Sequence, residues 1–228
     1  MTTGLRERKK RETRQAISDI ATALFVEHGF DAVTIAQIAQ AAGVAKMTVT
    51  NYFPRKEDLV FDRAEEIIGG LAAVVTARQP GESMLAAVRR DYARAAADGA
   101  VTLGLASPEF AAMIQCSPVL AGRGMEIQDQ RERALGDAIA AEAGADGPAE
   151  RLVAALLAAV PRVLFAEGFA RSLAGQPRTE ITAVLAAEAE RAFALLEPAI
   201  GSYGIRASAP EPAATAPRGA EPDTDSGA

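Results

Sequence analysis

Apolar side chains recur with a helical period along most of this chain. Ile17, Ile20, Ala21, Leu24 and Phe25 fall on one helical face. They predict a first helix that runs from the charged N-terminus to Glu27 and stops before Gly29. Thr34 stands where it can cap a second helix over 35–42, whose inward face is Ile35, Ile38 and Ala39. Gly43 separates that segment from a third helix over 45–52, and Pro54 blocks its continuation. A fourth helix is predicted from 55 to 77, with Glu57 and Asp58 in its first turn, where carboxylates complement the helix dipole. Further helices are predicted over 82–97, 100–106, 108–115, 118–143, 148–173 and 178–197, punctuated by Gly and Pro. Pro161 lies inside one of them and is expected to kink or split it.

Composition agrees with this pattern. Apolar residues make up 49% of the 228-residue chain and aromatic residues only 5%, so Ala-rich helices are favoured over strands. The expected fold is all-α. It consists of a three-helix domain over 14–54 and a larger helical domain over 55–205. A basic, flexible arm over 1–13 precedes them. The stretch 206–228, rich in Pro, Ala, Gly and acidic residues, lacks apolar side chains to offset ordering entropy and is expected to be a disordered tail.

Charge is unevenly spread. The net charge is −6, yet residues 1–60 balance at +2, and the excess is concentrated in 1–14, with six basic and two acidic side chains. An acidic body with one basic end suggests a single local anionic partner; a solvated basic tail would read the same. A lone cysteine, Cys116, excludes an intrachain disulfide and fits a cytoplasmic protein. The charged segment 6–14 does not read as a secretory signal. The apolar run 152–161 is short for a bilayer and reads as a buried helix.

The segment from Thr34 to Phe53 carries the chemistry. It has a short helix, a Gly at a tight turn, an apolar residue, and a second short helix. Ile38, Ala39, Val44 and Val49 would form the small core where the helices cross. Lys46, Met47, Thr48, Thr50 and Asn51 would form the outward face, long or polar enough to reach base edges and phosphates.

From Ile17 to about Asp62 the chain resembles the TetR family of bacterial regulators. The resemblance rests on Phe25…Gly29-Phe30, on Thr34…Ile38-Ala39…Ala42-Gly43-Val44, and on Thr48-Val-Thr-Asn-Tyr52-Phe53-Pro-Arg-Lys56-Glu57-Asp-Leu59. It covers about a fifth of the chain. It implies that Thr34 caps the second helix and touches a phosphate. It also implies that Lys46, Met47, Thr48 and Thr50 face the major groove, and that Tyr52 and Lys56 touch the DNA backbone. Many relatives carry Tyr where this chain has Thr50, and some carry a basic residue at Ala36, so a half-site sequence does not carry over.

The resemblance further implies that 14–54 is a helix-turn-helix DNA-binding domain and 55–205 a helical effector-binding and dimerisation domain, in a ligand-responsive regulator, a repressor that binds a palindromic operator as a homodimer. The last two long helices would pair with those of a second subunit. Apolar stripes for this are Leu152, Leu156, Ala159, Val163 and Leu164 on one helix and Ile181, Val184, Leu185, Ala192, Phe193 and Leu196 on the next; the alternative is that each stripe faces only its own core. A small, largely apolar effector would release the DNA, with Phe110, Met113, Ile114, Met125, Phe165 and Phe169 as pocket candidates that would also serve as ordinary core. Few basic residues lie in 60–120, which argues against a highly anionic effector, although Arg78, Arg89, Arg90, Arg94 and Arg123 leave room for one. His28 is the only histidine and has no second ligand near it, and Cys116 is expected to be a buried small hydrophobe. No metal, cofactor or enzyme motif is found. The alternative is a helical binding module whose helix-turn-helix has lost DNA binding.

Overall fold

The computed structural model describes residues 2–207, with side chains from residue 6 onward. Among these residues the fold is all-α: α1 (Thr2–His28), α2 (Ile35–Ala41), α3 (Lys46–Tyr52), α4 (Ala64–Thr76), α5 (Met84–Asp98), α6 (Pro108–Cys116), α7 (Pro118–Ala143), α8 (Pro148–Leu173) and α9 (Arg178–Ile200). Helix starts follow local chemistry. Ser83, Ser107 and Ser117 each accept a backbone N–H at the mouth of α5, α6 and α7, and Pro108 and Pro118 open the last two.

Two cores divide the molecule. A head is built on Ile17, Ala21, Phe25, Phe30, Ile38, Ala39, Val49, Phe53 and Leu59, joined by Leu120 of α7. A larger body is built on α4, α5, α7, α8 and α9, with Leu71, Val88, Leu135, Leu157, Leu185 and Phe193 among its buried side chains. α7 therefore contributes to both cores and links them.

Several expectations are corrected. The arm over 1–13 is not a separate flexible segment; from Thr2 it is the first part of α1. Its run of Arg, Glu and Lys over 6–12 favours a helix, with helix-spaced contacts in the Arg8–Glu12 ion pair and the Thr13 hydroxyl donating to the Lys9 carbonyl. The fourth helix does not begin at 55. A 3-10 turn, Glu57–Leu59, comes first and α4 starts at Ala64, because Leu59 and Val60 are drawn into the head core. The segment 100–106 yields only a 3-10 turn, Val101–Leu103, ended by Gly104. That turn lies so close to α8 that a Cβ on Gly104 would meet the Phe165 carbonyl, and one on Gly168 would meet the Leu103 carbonyl. Pro161 does not split α8, which continues unbroken to Leu173, and α9 runs past 197 with Pro198 inside it. Cys116 is exposed, because it closes α6 on the face opposite the buried Ala111. The expected tail begins inside the described residues. Arg206 exchanges backbone hydrogen bonds with Gly81 and Glu82, and its guanidinium reaches the Thr76 and Arg78 carbonyls. The rest of the predicted tail, 208–228, lies outside the described residues.

α8 is long and apolar enough to cross a membrane by length and composition. It is nevertheless a packed helix, with Val153, Ala154, Leu157, Ala158, Val160 and Leu164 buried in the body core.

Candidate nucleic-acid interface

α2 and α3 cross over a small apolar contact. Ile38 and Val49 are fully buried and Ala39 nearly so, as the sequence pattern requires. The turn between them places Gly43 at φ 66°, in the left-handed region that L side chains disfavour. Thr34 caps α2 in a reciprocal box: its hydroxyl accepts from the Gln37 N–H at 3.3 Å, and the Gln37 side chain accepts from the Thr34 N–H at 2.8 Å.

With Val49 pinned inward, α3 turns Lys46, Met47 and Asn51 to solvent and leaves Thr48, Thr50 and Tyr52 half-buried. Met47 is 68% exposed, which is unusual for so apolar a side chain and marks a contact face rather than core. Thr50 departs from the outward set. Its hydroxyl donates to the Met47 carbonyl at 3.1 Å on its own helix, so it is directed along α3 instead of away from it.

Lys56 is also drawn inward. Its ammonium donates to the Phe30 carbonyl and lies 4.4 Å from the Phe30 ring centre and 5.5 Å from that of Phe25. Burial pulls its pKa below the ordinary lysine value, with Asp31 and Glu57 opposing that shift. A phosphate contact from Lys56 would require it to leave this carbonyl.

Two head residues were missed at the level of sequence. Arg14 on α1 donates to the Tyr52 carbonyl at 2.8 Å and to the Asp62 carbonyl at 2.9 Å, while its guanidinium lies 4.3 Å from the Phe53 ring centre. It thereby fixes the C-terminal end of α3 and the approach to α4. Ser18, buried one turn later, donates to the Leu59 carbonyl at 2.8 Å. The only signal for either was its position on the face of α1 next to Ile17.

The body holds the head through ion pairs. Arg123 of α7 pairs with Asp58 at 3.0 Å, and Arg55 reaches Glu126 at 2.9 Å. Arg123 and Asp58 are mostly buried, so this pair resists solvent screening better than a surface contact. α7 thus grips the turn that follows α3.

The residues expected to line one effector pocket are not gathered. Phe110, Met113 and Ile114 pack on the head core. Met125 is 66% exposed, and Phe165 and Phe169 stack on each other along α8. α6 leans on α1, so its apolar face is spent at the junction. A cleft of about 570 Å³ does open there, lined by Phe25, His28, Asp31, Met113 and Cys116 among others. No group of three or more His, Cys, Asp or Glu side chains suited to a metal ion occurs among the described residues.

Residues 17–62 match the family model described as bacterial regulatory proteins, tetR family. The chain is 28% identical over 182 residues to the HTH-type transcriptional regulator TcmR of Streptomyces glaucescens, spanning 74% of this chain and 78% of that one. It is 34% identical over 93 residues to the HTH-type transcriptional regulator RutR of Escherichia coli K12, spanning 41% and 43% of the two chains. Apart from TcmR, the matches therefore reach less than half of the relatives' own lengths. Among solved structures, NalD, the secondary repressor of the MexAB-OprM multidrug efflux pump in Pseudomonas aeruginosa, overlaps 81% of this chain and 97% of its own with a TM-score of 0.48 at 16% identity. The matched segment contains the helix-turn-helix and Lys56, and in this segment the chain is similar to the TetR family of DNA-binding transcriptional regulators.

Proposed function

We propose that this regulator is a homodimeric, cytoplasmic repressor that binds a palindromic operator through α3 and is released by a small, largely apolar effector held in the body. The observation that carries the DNA-binding part is the face of α3. Lys46, Met47 and Asn51 project from a helix whose opposite side, Val49, is locked into the head core. Thr34, Thr48 and Tyr52 border that face and would position it on phosphates, with Thr50 and Lys56 in lesser roles given their internal hydrogen bonds. Two such helices would enter successive major grooves roughly 34 Å apart.

Dimerisation through α8 and α9 is supported by apolar side chains left at the surface. Leu152 is 60% exposed, Val163 62% and Leu195 80%. With half-buried Leu156 and Ala159, Leu152 and Val163 form a seam along α8 at coiled-coil spacing. The buried part of the predicted stripes, Leu164, Ile181, Leu185 and Phe193, faces the chain's own core instead. Release needs an effector that favours a conformation with lower DNA affinity. α7 offers the route, since it shares both cores and holds Asp58 beside the recognition helix.

The test is a titration of the purified protein on its own upstream intergenic DNA at several salt concentrations, against scrambled competitor. A salt-steep, sequence-selective complex with two chains per site is expected. Lys46→Ala should weaken it by about 1–3 kcal/mol with the dimer intact. Equal binding to scrambled DNA would overturn the operator reading in favour of a binding module without DNA recognition.

A further inference from the structure

The N-terminal part of α1 differs in charge from the rest of the chain. Arg6, Arg8, Lys9, Lys10, Arg11 and Arg14 follow one another closely, in a protein whose net charge is −6. Positions 6–12 are all exposed. Arg8 is matched by Glu12. Arg6, Lys9, Lys10 and Arg11 have no carboxylate within ion-pair distance among the described residues.

This segment is continuous helix with the part of α1 that folds into the head, so its direction is set. Ile17 and Ser18 are buried there, and Arg14 donates to the Tyr52 and Asp62 carbonyls. Tyr52 is the last residue of α3. At 1.5 Å of rise per residue, Arg6 stands about 12 Å beyond Arg14 along the helix axis. α1 therefore leaves the head beside the C-terminal end of α3. Helical spacing sorts the charges on this projecting piece. Arg11 and Lys10 lie three and four residues before Arg14, and Arg6 lies eight before it, so these three continue the side that Arg14 turns toward α3. Glu7 is the one carboxylate on that side. Arg8 and Lys9 fall on the opposite side.

We infer that Arg6, Lys10 and Arg11 make a second, sequence-independent contact with duplex DNA, on phosphates that flank the bases reached by α3. This deepens the operator reading above and rests on it for where the duplex lies, though not for the attraction to a duplex of any sequence. A helix that is polar all round gains nothing from burial, and like charges one turn apart destabilise it, so an anionic partner relieves a cost already present in the chain. Duplex DNA presents one negative charge per about 1.7 Å of axis. A row of cations fixed on a helix meets that charge without the ordering entropy a flexible arm would lose. The position beside α3 favours DNA over an acidic protein or a lipid surface, because a duplex lying on Lys46, Met47 and Asn51 runs on past the end of that helix.

The experiment titrates the full chain on two duplexes, its own upstream intergenic DNA and a scrambled duplex of equal length, over a range of salt concentrations. Combining Arg6→Gln, Lys10→Gln and Arg11→Gln should flatten the log–log salt slope by about 2 to 3 and weaken binding to both duplexes about tenfold or more. The ratio of the two affinities should not change, since phosphate contacts carry no sequence information. Gln keeps the helix propensity, and far-UV circular dichroism checks that α1 is intact. Lys9→Gln removes the same charge as Lys10→Gln from the opposite side and should flatten the slope by less than half as much. Arg6→Lys with Arg11→Lys should keep the wild-type slope. An unchanged slope in the triple variant overturns the proposal, as do equal losses from Lys9→Gln and Lys10→Gln, or a loss confined to the upstream DNA. Binding to phosphatidylserine vesicles that depends on the same three residues, with DNA binding unaffected, overturns it in favour of a lipid surface. Selective DNA binding that the triple variant retains in full refutes the flanking contact and leaves the operator reading intact. A slope that depends on the three residues on both duplexes, with no preference between them in wild type, keeps the contact and refutes the operator reading.

Discussion

The head and the body differ in how completely they satisfy their buried polar groups. In the head, Arg14, Ser18 and Lys56 each bring a donor into a partly or fully buried place and each finds a backbone carbonyl from a distant part of the chain. In the body, two buried donors, the Tyr92 hydroxyl and the Arg131 Nε, have no partner. An unsatisfied buried donor costs about 1–3 kcal/mol, so such groups are rare in finished interiors. The difference fits a division of labour. The head is closed on itself, which holds α3 in one geometry. The body leaves some hydrogen-bonding capacity unmet among the described residues.

The comparison can be broken most forcefully where the body does satisfy its charge. Arg78 is 1% exposed and donates to the Val75 and Gly204 carbonyls as well as to Glu142. Arg78→Ala should cost about 3 kcal/mol in urea denaturation, since it removes a large buried side chain and three sets of hydrogen bonds. A loss below 1 kcal/mol would mean that the C-terminal segment docks without it. Next comes Arg14→Ala, expected to destabilise the head by about 2 kcal/mol through two lost carbonyl contacts and the ring of Phe53. It should also weaken DNA binding although Arg14 is directed inward at Tyr52; unchanged affinity would show that α3 is held without this clamp. The third test is pH. Arg78 holds the Glu142 carboxylate below its usual range by hydrogen bonding. Its contribution is therefore complete above the unfolded carboxylate pKa and is lost as pH falls through the lower folded value. The acid limb of a stability profile should shrink in Glu142→Gln, and an identical limb would assign acid sensitivity to other carboxylates. The smallest effect is at Tyr92. Burial pushes its phenol up to about 12, so it is a neutral, unpaired hydroxyl at neutral pH. Tyr92→Phe should leave thermal stability unchanged or raise it by up to about 1 kcal/mol. A clear drop would show that the hydroxyl has a partner in solution and would erase half of the contrast between the two regions.

Local patterns and long-range pairings were legible to different degrees. The crossing of α2 and α3, the caps at Thr34 and the serines, and the buried Ile38–Val49 contact follow from spacings of a few residues, because capping and helical periodicity are local physics. The exposed set Lys46, Met47 and Asn51 follows from the same period once Val49 is inward. The unbroken α8 did not follow, because Pro161 is a poor helix former locally and only packing keeps the helix continuous around it. The packing of the pocket candidates was not legible either. Phe110 and Met113 look like any apolar pair until α6 is seen leaning on the head.

Sequence alone therefore determined most of the helices, their order and the resemblance to a family, since each depends on neighbours within one or two turns or on a contiguous motif. Tertiary structure was needed to show which cations are spent. Lys56 reads as a phosphate ligand until the fold brings the Phe30 carbonyl to its ammonium. Arg123 reads as a spare charge until Asp58, 65 residues away, is placed beside it. Arg131 looks like one more charge on a polar helix until packing takes its Nε out of solvent. Pairing of charges depends on distance in space, and the linear chain holds that information only through the packing of all its helices at once.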